Sequence, residues 1–350
     1  MKIIHTADIH LGSKINSFPK EVSIARKEEL RNSFKRMVDY ANSNGVKIIL
    51  ISGDLFDSDK PLIKDKQFFF SVVKNNPEID FLYLRGNHDV LGGGEELQNL
   101  KTFTTAWTSY RYGNVVISGV ESVKENASSI YSTLNLNKED INIVMLHGQV
   151  GDTSGLYRVN LSKLRGKNIN YLALGHYHTN VFEKFDDNSV YSYSGCLEGR
   201  GFDETGDKGF VLLDVEDSIN YTFIPFSNRK ISLVTVDVSS LSDAYSVYLN
   251  VKRVANFNKS DVYRVELYGE VDANFEDIES DVKKYLSSDA LFVDVKDLTK
   301  KKLDILGFEN DSSLKGEFLR LVAKSEDYSN DEKAKIISYG LKALSSREVE

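Results

Sequence analysis

Five short apolar runs in this chain each end in residues of the kind that bind metal ions, and that repetition limits the fold more than any other feature. Lys2-Ile3-Ile4 leads to Asp8-Ile9-His10, Ile48-Ile49-Leu50-Ile51 to Gly53-Asp54, and Phe81-Leu82-Tyr83-Leu84 to Gly86-Asn87-His88-Asp89. Ile141-Asn142-Ile143-Val144-Met145 leads to Leu146-His147-Gly148, and Tyr171-Leu172-Ala173-Leu174 to Gly175-His176-Tyr177-His178. Runs of this length and composition read as buried strands, and open α/β sheets place their sites just beyond the strands' C-terminal ends. The glycines before Asp54, Asn87 and His176 let the backbone turn sharply and approach a ligand closely. Five of the six histidines lie in these segments. The sixth, His5, belongs to the first strand, which favours packing or support of a ligand over ligation.

Carboxylate, carboxamide and imidazole donors without a thiolate suit Mn, Fe or Zn. The seven candidates, Asp8, His10, Asp54, Asn87, His147, His176 and His178, are too many for one tetrahedral ion. They suit two ions about 3.5–4 Å apart with positions open to water and substrate. Any one of them alone is more often a turn residue at a strand end. Chance does not gather nearly every histidine of a chain there.

The order Asp-x-His, Gly-Asp, Gly-Asn-His-Asp, His, Gly-His-x-His across residues 1–180 resembles the calcineurin-like metallophosphoesterase superfamily. The wording of residues 5–12, 52–57 and 194–210, including Gly199-Arg200-Gly201-Phe202-Asp203-Glu204-Thr205-Gly206, looks like the SbcD-type DNA repair exonucleases. The resemblance implies one divalent ion at Asp8, His10 and His178 and another at Asn87, His147 and His176, with Asp54 bridging. It also implies that His88 is the acid or transition-state stabiliser and Asp89 its orienting partner. The ions would be Mn2+, with Fe2+ or Zn2+ as alternatives. The implied activity is that of a two-metal DNA phosphodiesterase, a 3′-to-5′ exonuclease with single-strand endonuclease ability. The implied assembly is a homodimer with a coiled-coil, SMC-like ATPase subunit. A phosphatase or cyclic-nucleotide phosphodiesterase fits the five motifs equally well. A non-catalytic scaffold is the remaining alternative, and the intact ligand set argues against it.

The chain's 350 residues, 41% of them hydrophobic, are enough for two domains with sizeable cores. Val22, Leu30, Phe34, Met37, Val38 and Ala41 recur at helical spacing, and Asn44-Gly45 supplies a stop. A second helix between Pro61 and Asn76 carries Phe68-Phe69-Phe70, whose rings span about 200° of its surface, more than one core stripe needs. The surplus ring is expected to help form the homodimer. Residues 122–134 read as a further helix, and two adjacent hairpins within residues 171–226 are expected to complete a second sheet. The fold class is therefore α/β (α+β). The resemblance implies a four-layer β-sandwich flanked by helices, although the alternating pattern alone also permits one doubly wound sheet.

After Asn228 the chain has no histidine. A β-α-β-α-β pattern over residues 231–295 makes a smaller C-terminal α+β domain, by resemblance a capping domain that guides DNA. Residues 312–350 hold two amphipathic helical groups that either pack on their own chain or dock a partner. The expected division is 1–228, 229–311 and 312–350.

The net charge of −8 divides evenly about Asn228, so neither part is basic. That runs against strong DNA affinity for this chain alone. Lys300-Lys301-Lys302 is the one basic run, Arg85 is either a phosphate contact or a solvated charge, and residues 90–96 read as a flexible loop. Trp107, Tyr110 and Tyr112 are more readily packing residues than base-stacking ones. No apolar run has bilayer length, and the start lacks a secretory pattern, so no membrane association is expected. The single Cys196 forbids an intramolecular disulfide, which suits a reducing, cytoplasmic setting.

Overall fold

The computed structural model describes residues 1–89, 96–153, 155–271, 277–301 and 311–344. Most of the expected loop at residues 90–96, and Lys302 of the basic run, lie outside them. The chain separates into two compact units, Met1–Lys230 and Ile231–Glu350.

The first unit opens with β1 (Lys2–Thr6), α1 (Lys20–Ser43), β2 (Ile48–Ser52), α2 (Ile63–Lys74), β3 (Asp80–Leu84) and β4 (Leu100–Thr102). It continues with β5 (Thr108–Tyr112), β6 (Val115–Gly119), α3 (Ile130–Thr133), β7 (Ile141–His147), β8 (Gln149–Gly151) and β9 (Arg158–Asn160). A 3-10 turn (Leu161–Lys163) then precedes β10 (Tyr171–Gly175), β11 (Val181–Asp186), β12 (Ser189–Tyr193), β13 (Gly209–Val215) and β14 (Ile219–Pro225). Two six-stranded sheets result, ordered β14-β13-β1-β2-β3-β4 and β11-β12-β10-β7-β6-β5. The two hairpins do not lie together in the second sheet: β11–β12 edges that sheet, whereas β13 pairs antiparallel with β1 and carries β14 into the first.

Alternate residues of the central strands face opposite ways, and both faces are apolar because both are covered. Ile3, Ile48, Leu50, Leu82 and Leu84 meet Ile117, Ile141, Ile143, Met145 and Ala173 between the sheets. Ile4, Ile49, Ile51, Phe81 and Tyr83 face Phe34, Met37 and Val38 of α1 and Phe69 and Val73 of α2. Helix α1 stops where expected, with Asn44 as its cap and Gly45 at φ +70°. Of the three consecutive phenylalanines, Phe69 is fully buried, and Phe68 and Phe70 lean partly buried against the same core.

The outer layer on the second sheet is thinner than expected. Within residues 122–134 only Ile130–Thr133 is helical. Ile130, Tyr131 and Leu134 nevertheless cover Val144, Leu146, Leu172 and Leu174, so short turns do there what long helices do on the other side. Trp107 belongs to this layer and donates through Nε1 to the Ile130 carbonyl at 2.9 Å. His5 lies between the sheets, fully buried, with Nδ1 2.9 Å from the Tyr171 hydroxyl.

In the second unit, β15 (Ile231–Asp237), β16 (Val262–Tyr268) and β18 (Phe292–Asp297) form an all-parallel sheet, with α4 (Ala244–Val254) and α5 (Ile278–Leu286) as crossovers. The short β17 (Glu270–Val271) and β19 (Lys300–Lys301) pair separately. Asp243 caps α4 by accepting from Ser246 N at 2.8 Å. Helices α6 (Leu314–Lys324) and α7 (Asn330–Leu344) follow, with Leu319 and Ile337 buried while Leu314, Leu321 and Tyr339 stay exposed. Among the described residues no helix is long and apolar enough to cross a membrane.

Candidate metal centre

The central strands of both sheets run in parallel and deliver their polar ends to one edge. After β1 the chain carries Asp8 and His10 at φ +51° and +50°, and after β2 it carries Asp54 at +51°. His176, just past β10, has φ +102°. Such a conformation costs a non-glycine residue about 1–3 kcal/mol and persists only where surroundings over-determine it. Here they do. Asp8 N donates to the Gly53 carbonyl and His10 N to the Asp54 carbonyl, each at 3.0 Å. The His176 amide donates to both Asp8 oxygens at 3.0 and 2.9 Å, and the His88 amide to Asp54 Oδ1 at 3.0 Å.

The donor atoms converge. Atoms of Asp8, His10 and His178 lie within 4.8 Å of one another, and so do atoms of Asp8, Asp54 and His147. Asn87 Oδ1 is 3.0 Å from His147 Nε2 and 3.2 Å from His176 Nδ1, and His147 Nε2 is 3.5 Å from Asp54 Oδ2. All seven residues singled out in the sequence thus come together.

The outward nitrogens decide what the inward ones can do. His178 Nδ1 is 2.7 Å from Glu204 Oε1, and His10 Nδ1 is 3.2 Å from Asp57 Oδ1. With Nδ1 of each ring beside a carboxylate, the two Nε2 atoms face each other 3.2 Å apart. In the tautomer with both Nδ1 atoms protonated, these two atoms would turn lone pairs to the same space, where one cation would take both. His147 is held differently, donating from Nδ1 to the Ser52 carbonyl at 2.9 Å. Such partners fix the tautomer of a metal-binding imidazole. Oxygen and imidazole donors with open space beside them suit divalent Mn, Fe or Zn.

Charge tells the same story. Burial pushes the Asp54 carboxyl up, but its bond to His147 and the charges of His147 and His10 outweigh that and hold it well below the usual range. Burial pushes Asp8 up to about 6 despite His147 and His178. Burial would lower His147, yet Asp54 and Asp8 raise it to about 9. A proton there supplies the positive charge that a metal ion would otherwise bring, and metal uptake must displace it.

His88 and its expected orienting partner Asp89 differ in kind. The His88 side chain is 47% exposed with Nε2 4.0 Å from Asp54 Oδ2, so its ring stands at the open side of the site. Asp89 is buried, and its carboxylate accepts from Leu55 N, Phe56 N and Gly86 N at 3.2, 2.9 and 3.0 Å. It ties the β2 and β3 loops together through backbone amides. Arg85 is partly exposed, and Glu121 takes its guanidinium in a bidentate pair. Asp57, Arg200 and Glu204 support the donors without any signal in the sequence that assigns them a role, although all three lie in the stretches that resemble the SbcD-type nucleases.

A pair of sheets delivering carboxylate, amide and imidazole donors to one edge makes a centre for divalent metal ions. The calcineurin-like phosphoesterase family model matches residues 1–180, and the chain belongs to that family. Among curated relatives, the uncharacterized metallophosphoesterase YhaO of Bacillus subtilis is 27% identical over 72% of this chain and 67% of its own length. The DNA double-strand break repair protein Mre11 of Sulfurisphaera tokodaii is 25% identical over 77% of this chain and 73% of its own. The D component of the SbcCD nuclease of Staphylococcus epidermidis is 24% identical over 69% of this chain and 74% of its own.

Proposed function

We propose that this chain is a DNA phosphodiesterase that uses two divalent metal ions, with 3′-to-5′ exonuclease and single-strand endonuclease activity. The observation that carries the reading is the convergence of seven donors at one strand edge, with an exposed His88 beside them. Relatives named as DNA break repair proteins and as a nuclease subunit favour DNA over other phosphate esters. Asp8, His10 and His178 would hold one ion and Asn87, His147 and His176 the other, with Asp54 between. Bound there, such a pair, most readily Mn2+, would polarise the phosphoryl group and lower the pKa of water.

The chain's own residues do the rest. Asp54 keeps its charge through His147 and through the His88 amide. The His88 imidazole, free at the open side, hydrogen-bonds or protonates the leaving oxygen. Asp89 keeps the loop that carries His88 in place. Residues 229–311 contact DNA. The exposed Leu314, Leu321 and Tyr339 of α6 and α7 offer a docking face for a coiled-coil ATPase of the SMC type. Homodimer formation would use the face of α2 that carries the partly buried Phe68 and Phe70.

The deciding experiment incubates the purified chain with labelled single- and double-stranded DNA, with MnCl2 and with a chelator. Shortening of DNA that Mn2+ supports and the chelator abolishes is the expected result. Hydrolysis of 4-nitrophenyl phosphate or cyclic AMP with none of DNA would replace this reading with that of a phosphatase or cyclic-nucleotide phosphodiesterase.

A further inference from the structure

Two of the site's histidines are joined behind the donors by a closed chain of charges. Asp57 Oδ1, 3.2 Å from His10 Nδ1, also accepts from Arg200 Nη1 at 2.8 Å. Glu204 Oε1, 2.7 Å from His178 Nδ1, also accepts from Arg200 Nη2 at 2.6 Å. The Arg200 amide donates to the other Glu204 oxygen at 2.8 Å, which closes the turn that presents both side chains. His10, Asp57, Arg200, Glu204 and His178 therefore form an arch. Its two ends are the imidazoles whose Nε2 atoms stand 3.2 Å apart.

We infer that Arg200 is a positioning residue for one ion only, the one held by Asp8, His10 and His178. This rests on the metal-centre reading above. A carboxylate behind a histidine fixes which nitrogen carries the proton, but it leaves the ring free to swing with the carboxylate. One planar guanidinium bonded to both carboxylates removes that freedom and sets the distance between the rings. Its charge also offsets two carboxylates brought close together, and a site with both unpaired would repel itself. Arg200 is 17% exposed and Glu204 6%, so water does little to weaken the bond between them, while Asp57 at 29% is the more open end of the arch.

The other half of the centre is built without this device. His147 is oriented by the Ser52 carbonyl at the end of β2, which the sheet itself holds in place. Loss of Arg200 should therefore disturb one ion and spare the other. An ammonium in place of the guanidinium keeps the charge but cannot reach both carboxylates in their present positions.

Manganese titration of the full chain, by calorimetry and by electron paramagnetic resonance, tests this without reference to activity. The wild type should take up two equivalents and give the spectrum of a coupled pair. Arg200→Gln should keep one equivalent and bind the second about 10–100-fold more weakly, the usual loss on removing a supporting partner, with the spectrum turning to that of isolated Mn2+. Arg200→Lys should resemble Arg200→Gln in affinity, and circular dichroism of both metal-free variants should match the wild type. Two equivalents at wild-type affinity in Arg200→Gln, or equal weakening of both, overturns the inference alone. Full affinity in Arg200→Lys overturns the two-pronged span. A wild-type chain that takes up no divalent ion overturns the metal-centre reading and the inference with it.

Discussion

A Cβ placed on Gly53 would stand 2.1 Å from Nδ1 of His147, on the nitrogen that donates to the Ser52 carbonyl. Gly53 also sits at φ +94°, where any side chain adds backbone strain. The residue between strand β2 and Asp54 is therefore small because the imidazole from the other sheet occupies the space. Gly53→Ala is expected to displace the His147 ring and weaken divalent-ion binding by about 10–100-fold, in the range of losing a ligand's supporting contact. Calorimetric titration with MnCl2 measures it, and an unchanged affinity would mean that the ring's position does not matter.

His88 and Asp54 should separate in their effects because one is exposed and the other is sealed among donors. The His88 ring is 47% exposed and the Asp54 side chain 3%. His88→Ala is expected to retain both ions while hydrolysis falls about 10²–10⁴-fold, the usual contribution of a positioned proton donor. Asp54→Ala should lose ions and hydrolysis together. Paired metal analysis and DNA-cleavage assays check this, and normal hydrolysis by His88→Ala would remove that residue from the mechanism.

Away from the donors, α1 carries a buried ion pair that should matter for stability. Arg26 is fully buried, and its Nη2 donates to Glu198 Oε2 at 2.9 Å and to the Gly199 carbonyl at 2.6 Å. Glu198 Oε1 accepts from Ser33 at 2.6 Å. Glu29 also pairs with the Arg26 guanidinium, so removing Glu198 leaves a buried charge with one of its two carboxylates, whereas apolar replacement of both Arg26 and Glu198 is often tolerated. Glu198→Leu is expected to cost about 3 kcal/mol of unfolding free energy, and Arg26→Met combined with it should recover a large part. Urea denaturation of the three proteins gives the values, and additive losses in the double variant would contradict the pairing.

Much of this could be read from the chain because buried parallel strands declare themselves. Ile3-Ile4 and Ile48-Ile49 are apolar on both faces, and each leads straight to a ligand. Where β13 would pair was not legible, since its partner β1 lies at the other end of the unit and nothing in a period-two pattern names a partner. The helix expected over residues 122–134 shrinks to one turn for a related reason. Ile130, Tyr131 and Leu134 have helix-like spacing, but one turn is enough to cover the sheet there. Asp57, Arg200 and Glu204 escaped because a charged residue in a loop looks solvated until its neighbours are known. Asp89 stands out in the sequence by its place beside His88, while its bonds run to amides that a sequence does not display.

The unused histidine gives a prediction about acid. His5 is fully buried between the sheets, and burial lowers its pKa from 6.5 to about 3, a backbone bond to Leu174 opposing only in part. Below pH 6.5 the unfolded chain binds a proton at this residue and the folded chain does not. The folded state is therefore favoured in full above that pH and loses ground as pH falls towards about 3. Between pH 7 and pH 5 this one group should remove about 2 kcal/mol of stability. His5→Gln cannot take up that proton but can still meet the Tyr171 hydroxyl. The carboxylates titrate alike in both proteins, so the difference between their urea midpoints at each pH isolates His5. The variant should gain on the wild type as acid is added, and curves that stay parallel from pH 7 to pH 5 would show that the imidazole is already charged in the folded protein or reached by water.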